Sequence, residues 1–278
     1  MIRPMPELPE VEVLRRSLLR RLPGRRIVRV ETRAPTLREP LDRRRLRRLL
    51  EGRRVEALRR RAKYLLIDVD GDATLIVHLG MSGRLTVVAG EEPYEEHEHF
   101  LCRLDDGRRL RLVDPRRFGL VFASRRGELA ADRHFAHLGV EPLDGGLTGR
   151  YLAERVRGRR APIKGFLMDA GVVVGVGNIY ASETLWRAGV HPRRSTARIS
   201  ATAWERLAAE TRAVLGDAIA QGGTTLNDFA DGDGNAGYFQ VALAVYGREG
   251  EPCGRCGRTI RRLVQAGRGT FYCPGCQR

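Results

Sequence analysis

The sequence predicts a multidomain α+β protein, with a mainly β N-terminal half that carries one helix, a helical middle part and a small cysteine-rich hairpin at the C-terminus. Eight short apolar segments separated by Asp-Gly and glycine-rich turns fill residues 27–123, which is typical of an antiparallel sandwich or barrel. Four of the five cysteines stand in the last twenty-six residues as two C-x-x-C pairs. With 278 residues, the chain is long enough for two hydrophobic cores.

The N-terminal half begins with an amphipathic helix, predicted over residues 8–22, because apolar residues recur there at helical spacing until Pro23-Gly24. A second short helix is expected at 41–50. Cys102 stands in an apolar run and is expected to be a small core residue. Strands are expected at Ile27–Thr32, Arg54–Leu58, Tyr64–Val69, Thr74–Leu79, Arg84–Val88, His99–Leu104, Arg109–Val113 and Leu120–Ala123.

From about residue 150 the pattern becomes helical, with helices predicted at 151–156, 179–188 and 201–221 and a turn at 164–168. The last helix carries apolar residues along one side, and Thr202 and Glu205 have the spacing of a capping box. Residues 222–238 follow as a long loop with five glycines. Loops of this length in compact proteins are usually functional or disordered.

The charge of the chain indicates a polyanionic partner. Fifty Lys and Arg residues against thirty-four Asp and Glu give a net charge of +16 and a pI near 10.7. A basic surface binds phosphates largely by releasing condensed counterions, so nucleic acid is favoured over membrane. The apolar stretches are too short to span a bilayer and the N-terminus lacks an apolar signal region, so we expect a cytosolic or nucleoid-associated protein.

Only two of the fifty basic residues are lysines, Lys63 and Lys164. Guanidinium stays protonated in proteins, whereas an ammonium exchanges its proton when its surroundings lower its pKa. A chain that uses arginine almost everywhere is therefore expected to keep lysine where protons move. The alternative is that a compositional bias removed most lysines and left two at random.

The four C-terminal cysteines, Cys253, Cys256, Cys273 and Cys276, form two pairs separated by sixteen residues, which is the spacing of a zinc ribbon. Four thiolates leave no open coordination position, so the single zinc ion is predicted to be structural. The hairpin between the pairs is expected at Thr259–Val264 and Thr270–Tyr272, with Arg268 between glycines at its tip. Such glycines permit close approach to a phosphate backbone, although Arg268 could also be a solvated charge.

Several segments resemble the bacterial formamidopyrimidine-DNA glycosylase family, in family order from residue 5 to residue 278. They are Met5-Pro-Glu-Leu-Pro-Glu-Val-Glu12, Arg61-Ala-Lys-Tyr-Leu-Leu66, His78-Leu-Gly-Met-Ser-Gly83, Asp114-Pro-Arg-Arg-Phe-Gly119, Gly175-Val-Gly-Asn-Ile-Tyr-Ala-Ser-Glu183 and the terminal ribbon. The resemblance implies a β-sandwich domain at 6–137, a helix-two-turn-helix domain at 138–240 and a zinc-ribbon hairpin at 244–278. DNA would lie in the cleft between them.

The resemblance also implies an activity: a monomeric bifunctional DNA glycosylase and AP lyase of base excision repair, which excises 8-oxoguanine and formamidopyrimidines from damaged duplex DNA. Pro6 would be the nucleophile through its N-terminal amine. Glu7 would be the acid/base carboxylate; the alternative, a helix N-terminal carboxylate stabilised by the helix dipole, is compatible with that role. Lys63 would donate the proton for β-elimination. Arg268 would act in δ-elimination, and because arginine rarely gives up a proton we interpret it as a phosphate-positioning electrophile.

DNA-binding residues follow from the same resemblance. His97, Arg116 and Arg160 would bind DNA, and Lys164 and Asn178 would contact phosphates around the extruded nucleotide. The vacated stack would be filled by Met81, Arg116 and Phe118. The loop Thr224–Tyr238 would cover the flipped purine. Two histidine pairs, His97 with His99 and His134 with His137, have metal-ligand spacing but show no third ligand.

Four residues, Met1 to Pro4, precede the start of the family, and Pro6 offers an amine only if translation begins at Met5 or the extension is trimmed. Two alternatives remain open. The sister family acts on oxidised pyrimidines, although the Pro6-Glu7-Leu8-Pro9 start and the long loop before Tyr238 favour purines. A non-catalytic zinc-ribbon DNA-binding protein would explain the charge and the cysteines but would give Pro6, Glu7 and Lys63 no task.

Overall fold

Residues 6–156, 158, 160–223 and 243–278 are described by a computed structural model of the chain. Among them, residues 6–136 and 222–223 belong to one compact unit, and those from 137 to 221 and from 243 to 278 belong to a second. The second unit contains both the helices and the cysteine-rich hairpin. The loop expected to cover the flipped base, 224–238, lies outside the described residues.

The first helix, α1 (Leu8–Leu18), begins after Glu7, whose backbone N–H donates to a Glu10 carboxylate oxygen at 2.8 Å. This bond satisfies a donor that the helix itself leaves open. The helix ends four residues before the predicted end, because Arg20 and Arg21 donate to carbonyls three residues back. Its apolar side is buried through Leu8, Val11, Leu14 and Leu18.

Eight strands form the first unit, at Ile27–Thr32 (β1), Val55–Arg61 (β2), Tyr64–Val69 (β3), Ala73–His78 (β4), Arg84–Val88 (β5), Glu98–Leu104 (β6), Arg109–Val113 (β7) and Leu120–Arg125 (β8). They make two antiparallel sheets, ordered β1-β6-β7-β5 and β2-β3-β4-β8. Residues of both sheets share one core, which includes Leu65, Ile67, Phe100 and the fully buried Cys102. The predicted antiparallel sandwich and the core position of Cys102 are confirmed.

Strand β2 continues three residues beyond its predicted end at Leu58. The three arginines that follow Leu58 carry no apolar pattern from which a strand could be predicted. In the structure Arg59, Arg60 and Arg61 each pair with a residue of β3, and Arg59 forms an ion pair with Asp68. The hairpin closes through Ala62 and Lys63, with Ala62 in the left-handed region at φ 54°. The second helix, α2 (Arg43–Leu50), begins where the Asp42 carboxylate accepts the backbone N–H of Arg45.

The second unit contains α3 (Gly149–Arg155), α4 (Ile163–Leu167), α5 (Asn178–Arg187) and α6 (Ala201–Ala220), of which α6 packs against α3 and α5. The expected capping box at the start of α6 is wrong. Ser200 is the N-cap and accepts the backbone N–H of Ala203, whereas Glu205 accepts the N–H of Gly149 at 3.1 Å. Thr202 lies inside the helix, whereas Ser200 precedes its first residue and has the extended backbone conformation that an N-cap requires.

The cysteine-rich hairpin consists of β9 (Arg261–Gln265) and β10 (Arg268–Tyr272), which pair in antiparallel register and turn through Ala266-Gly267. Arg268 is therefore the first residue of β10, opposite Gln265, and follows directly after the turn at the end of the hairpin. None of the helices in the described part of the chain has the length and apolar character needed to cross a membrane.

Candidate functional site

The start of α1 holds the first two candidate catalytic residues. Pro6 and Glu7 are both buried, and Glu7 is only 2% exposed. Glu7 is the N-cap of α1, so this end of the chain lies at the positive pole of the helix dipole. A positive pole stabilises a carboxylate and disfavours a protonated amine. Both interpretations of Glu7, as a helix N-terminal carboxylate and as an acid/base group, fit this position.

Lys63 lies half-buried in the hairpin turn between β2 and β3, the two strands against which α1 packs. The positive charge of Lys63 disfavours protonation of the imidazole of His78, which lies at the end of β4. Burial first, and then the charges of Lys63 and Arg38, lower the pKa of His78 from 6.5 to about 3. His78 is therefore neutral, and its Nδ1 accepts the backbone N–H of Gly80 at 3.0 Å. This histidine fixes the turn that carries Met81, a role that its position in the sequence motif did not reveal.

The buried neutral His78 predicts a loss of stability in mild acid. Its pKa is about 3 in the folded chain and 6.5 in the unfolded chain, so unfolding takes up a proton at any pH between these values. The free energy of unfolding should fall as the pH drops below 6.5, with about 2 kcal/mol between pH 7 and pH 5 contributed by His78 and a further part by His99 and His191, whose pKa values burial also lowers. Urea unfolding followed by circular dichroism should show this slope, and His78→Asn, which keeps an acceptor for Gly80, should reduce it.

The exposed His137 offers a matched control, because His137→Asn should leave the same slope in place. The range between pH 7 and pH 5 avoids the titration of Glu12 and Asp68, whose pKa values are lowered despite burial by bonds to Arg15 and Arg59 respectively. An equal slope in the wild type and His78→Asn would contradict the prediction.

Two loops bring together the residues expected to fill the vacated stack. Met81 lies in the turn between β4 and β5, and Arg116 and Phe118 lie between β7 and β8. A Cβ added to Gly80 would stand 2.3 Å from the carbonyl carbon of Phe118, so the two backbones are in close contact. Phe118 is 45% exposed, and the guanidinium of Arg116 lies 4.9 Å from its ring centroid. His97 joins this region, because its carbonyl accepts the backbone N–H of Asp114 at 2.9 Å.

A polar network in the second unit contains two predicted phosphate ligands. Lys164 is 2% exposed, and its Nζ donates to Asn178 Oδ1 at 2.5 Å and to Thr270 Oγ1 at 2.7 Å. Asn178 Nδ2 donates to the carbonyl of Gly269 at 3.0 Å and to the hydroxyl of Tyr246 at 3.3 Å. Lys164 therefore joins the helices to the strand that begins with Arg268. Its direct contact with a phosphate stays a prediction, as does DNA binding by the exposed Arg160.

The four predicted zinc ligands converge. The Sγ atoms of Cys253, Cys256, Cys273 and Cys276 all lie within 4.8 Å of one another, and no other group of three or more metal-ligating side chains converges within the described residues. The histidine pairs are accordingly not part of such a group. The indole N–H of Trp186 donates to Cys253 Sγ at 3.4 Å, a contact that suits a thiolate ligand. Four clustered thiols fit a closed, structural zinc site.

Glu183 is a structural anchor that local sequence patterns did not identify. It is 5% exposed on α5, and its carboxylate accepts three consecutive backbone N–H groups, from Ala244, Val245 and Tyr246, at 2.8–3.0 Å. The anchored segment leads into the cysteine-rich hairpin and supplies the Tyr246 hydroxyl to Asn178. Only the chain fold brings these groups together, because they lie sixty-one to sixty-three residues from Glu183.

Family models match three parts of the chain in succession. The formamidopyrimidine-DNA glycosylase N-terminal domain matches residues 5–121, the H2TH domain of the same glycosylase matches 138–230, and a zinc finger found in FPG and IleRS matches 250–278. The combination agrees with the sandwich, the helices and the four-cysteine hairpin.

Known relatives extend this agreement over the whole chain. A formamidopyrimidine-DNA glycosylase from Alkalilimnicola ehrlichii is 50% identical, with 99% of this chain and 100% of the relative covered. The MutM (Fpg) structure from Thermus thermophilus is 40% identical with a TM-score of 0.87, covering 98% of each chain. Lactococcus lactis Fpg in complex with abasic-site DNA is 32% identical with a TM-score of 0.90, covering 98% of this chain and 99% of that one. The chain belongs to the formamidopyrimidine-DNA glycosylase family.

Proposed function

We propose that this protein is a bifunctional DNA glycosylase and AP lyase that excises oxidised purines, notably 8-oxoguanine and formamidopyrimidines, from duplex DNA in base excision repair. The observation that carries the proposal is the buried Pro6-Glu7 pair at the start of α1, in a chain of this family. The net charge of +16 supports duplex DNA as the partner and the nucleoid as the place of action.

The amine of Pro6 is the proposed nucleophile, because an α-amine of pKa ~7.8 is roughly one-third unprotonated near pH 7.5, against about 0.1% for an unperturbed lysine. The nitrogen bonds to C1′ as the glycosidic bond breaks and the damaged base leaves with a proton. Glu7, held at the same helix end, exchanges the proton that opens the sugar ring at O4′.

The iminium formed at C1′ makes the C2′ proton acidic, so its loss expels the 3′ phosphate by β-elimination, and a second elimination expels the 5′ phosphate. We assign the proton transfers of β-elimination to Lys63. Arg268, at the start of β10, is assigned to hold the phosphate that leaves in δ-elimination, because its guanidinium stays charged. The role proposed for Arg268 needs a fixed hairpin, and the bonds from Lys164 and Asn178 to residues 270 and 269 support that requirement.

Duplex binding and base extrusion are assigned to the remaining residues. Met81, Arg116 and Phe118 would enter the vacated stack, since an exposed aromatic ring beside a guanidinium supplies both an apolar wedge and a donor for the orphaned base. The proposed phosphate contacts are His97, Arg160, Lys164 and Asn178.

The proposed nucleophile requires that the functional chain begin with Pro6. A start at Met5 followed by removal of that methionine would provide it, and the match to the N-terminal family model also begins at residue 5. Intact mass of the native protein tests this step, with the expected mass being that of a chain starting at Pro6. A fully active protein that retains Met1 would contradict the assignment to Pro6.

Borohydride trapping tests the overall function. Protein beginning at Pro6 should form a covalent adduct with 8-oxoguanine duplex, because borohydride reduces the iminium to a stable amine. Adduct formation should be slower on thymine-glycol duplex, and the reverse order would favour the oxidised-pyrimidine enzymes. The same chain with the Met1 extension retained is the matched control and should give no adduct. Failure of the Pro6-start protein to form any adduct would favour a protein that only binds DNA.

Lys63→Arg should separate proton transfer from binding. Arginine keeps the positive charge but rarely releases a proton, so single-turnover strand cleavage should fall by roughly 100-fold while affinity for duplex with a non-cleavable abasic analogue stays nearly unchanged. Quantified product gels and fluorescence anisotropy measure the two quantities. Unchanged turnover would mean that Lys63 is a remnant of a compositional bias against lysine.

A further inference from the structure

Asp114 is a buried carboxylate, with 0% exposure, in the loop between β7 and β8, and it connects two loops of the first unit. Its Oδ1 accepts the hydroxyl proton of Ser82 at 2.7 Å, and Ser82 stands thirty-two residues earlier in the turn that carries Met81. Its Oδ2 accepts the backbone N–H of Gly119 at 2.7 Å, next to Phe118. The Ser82 hydroxyl oxygen in turn accepts the backbone N–H of Arg116 at 3.3 Å.

We propose that Asp114 is a positioning residue that locks the Met81 turn and the Arg116–Phe118 loop into one rigid wedge for base extrusion. This inference rests on the proposed function. Asp114 itself touches neither base nor sugar in this role. It acts through Ser82 and Gly119, and so determines where the three wedge side chains project.

The backbone of Asp114 reinforces the same lock. Its carbonyl accepts the N–H of Arg117 at 3.2 Å and lies 3.1 Å from His99 Nε2, while its own N–H donates to the carbonyl of His97. Arg117 adopts φ 53°, a left-handed conformation that is uncommon for a residue other than glycine. Backbone strain of this kind persists only where the surroundings determine the conformation.

The two loops are also packed too closely to slide past each other. A Cβ added to Gly119 would stand 2.9 Å from Asp114 Oδ2 and 3.1 Å from the carbonyl oxygen of His78, and one added to Gly80 would stand 2.3 Å from the carbonyl carbon of Phe118. Unstacking a base pair costs free energy, and a loose loop would add its own ordering cost. A wedge fixed before binding avoids the added cost.

Ser82→Ala is the mildest test, because it removes the hydroxyl that joins Asp114 to the Arg116 backbone and leaves the carboxylate in place. Excision of 8-oxoguanine from duplex should slow about tenfold, whereas cleavage of an abasic site, which has no base to unstack, should change much less. Fluorescence of 2-aminopurine beside the lesion should rise more slowly, since it reports unstacking directly. Thr74→Val is the matched control, because Thr74 donates to a different buried carboxylate, Asp68, and this variant should excise at the wild-type rate.

Two further variants of Asp114 grade the effect. Asn can accept from Gly119 and donate to Ser82, so Asp114→Asn should retain more excision than Asp114→Ala. In a Phe118→Ala background, Ser82→Ala should cause a smaller further loss than it does in the wild type, because one of the three side chains that it positions is already missing. Circular dichroism checks that each variant is folded. If Asp114→Ala does not fold, the excision rate of Ser82→Ala tests the positioning role of Asp114.

The outcomes distinguish this inference from the proposed function. A wild-type protein with no excision and no borohydride adduct would refute the function itself. An active wild type together with a wild-type rate of duplex excision for Ser82→Ala would refute the role of Asp114. Fully multiplicative losses from Ser82→Ala and Phe118→Ala would also refute it, since they would show that the Asp114–Ser82 pair does not act through the position of Phe118.

Discussion

Cys273→Ser is expected to release the zinc and unfold the C-terminal hairpin, abolishing tight DNA binding. Cys273 is fully buried, and within the described residues the other buried members of its core are Val245, Cys253 and Ile260, with the partly buried Trp186 and Phe271 packed against them. So small a core cannot fold a hairpin alone, whereas structural zinc in small modules contributes about 10–16 kcal/mol of apparent binding free energy. Loss of the hairpin removes Arg268 and the partners of Lys164 and Asn178 from their positions.

Metal analysis and DNA binding measure this prediction together. Wild-type protein should contain one zinc per chain, and Cys273→Ser should contain almost none. Cys102→Ala is the matched control, because Cys102 is equally buried but lies in the sandwich core, far in sequence from the four ligands. That variant should keep its zinc and its affinity for duplex. Equimolar zinc and unchanged DNA affinity in Cys273→Ser would contradict the prediction.

The parts of this fold that sequence predicted well are those governed by local patterns. The two C-x-x-C pairs specify a metal site by spacing alone, and the short apolar segments divided by Asp-Gly and glycine-rich turns indicate the strands of an antiparallel sandwich. The wrong predictions are those in which a contact with a neighbouring element determines where a strand ends or which group a side chain binds. Strand β2 continues through three arginines because β3 pairs with them, and Glu205 leaves its expected capping box because the N–H of Gly149 lies within reach.

Lys164 shows why the candidate site could be predicted only in part. The motif and the scarcity of lysine indicated a functional ammonium, but its partner Thr270 lies one hundred and six residues later in the chain. No local pattern carries that information. The same holds for Asp114 with Ser82, since a buried carboxylate in a turn-rich segment looks like an ordinary loop residue until the second loop is seen. The sequence motifs thus indicated the segments expected to form the site, whereas the hydrogen-bond partners of their polar side chains are seen only in the folded structure.

Glu183→Ala should strongly destabilise the second unit, because it removes the acceptor of three consecutive backbone N–H groups. A buried donor left without a partner costs about 1–3 kcal/mol; the N–H of Val245 is buried and those of Ala244 and Tyr246 are partly buried, so a loss of about 3 kcal/mol in the free energy of unfolding is expected. Glu183→Gln should cost less, since its remaining oxygen can still accept from Val245 and Tyr246 while its amide faces the N–H of Ala244.

Tryptophan fluorescence during urea unfolding reports on this unit alone, because both tryptophans of the chain, Trp186 and Trp204, belong to it. Glu205→Ala is the matched control: its exposed carboxylate accepts one backbone N–H, from Gly149, and its loss should cost about 1 kcal/mol or less. The order of stability should be wild type, Glu205→Ala, Glu183→Gln and Glu183→Ala. A Glu183→Ala protein as stable as Glu205→Ala would show that water replaces the carboxylate, and that the segment entering the zinc hairpin needs no anchor on α5.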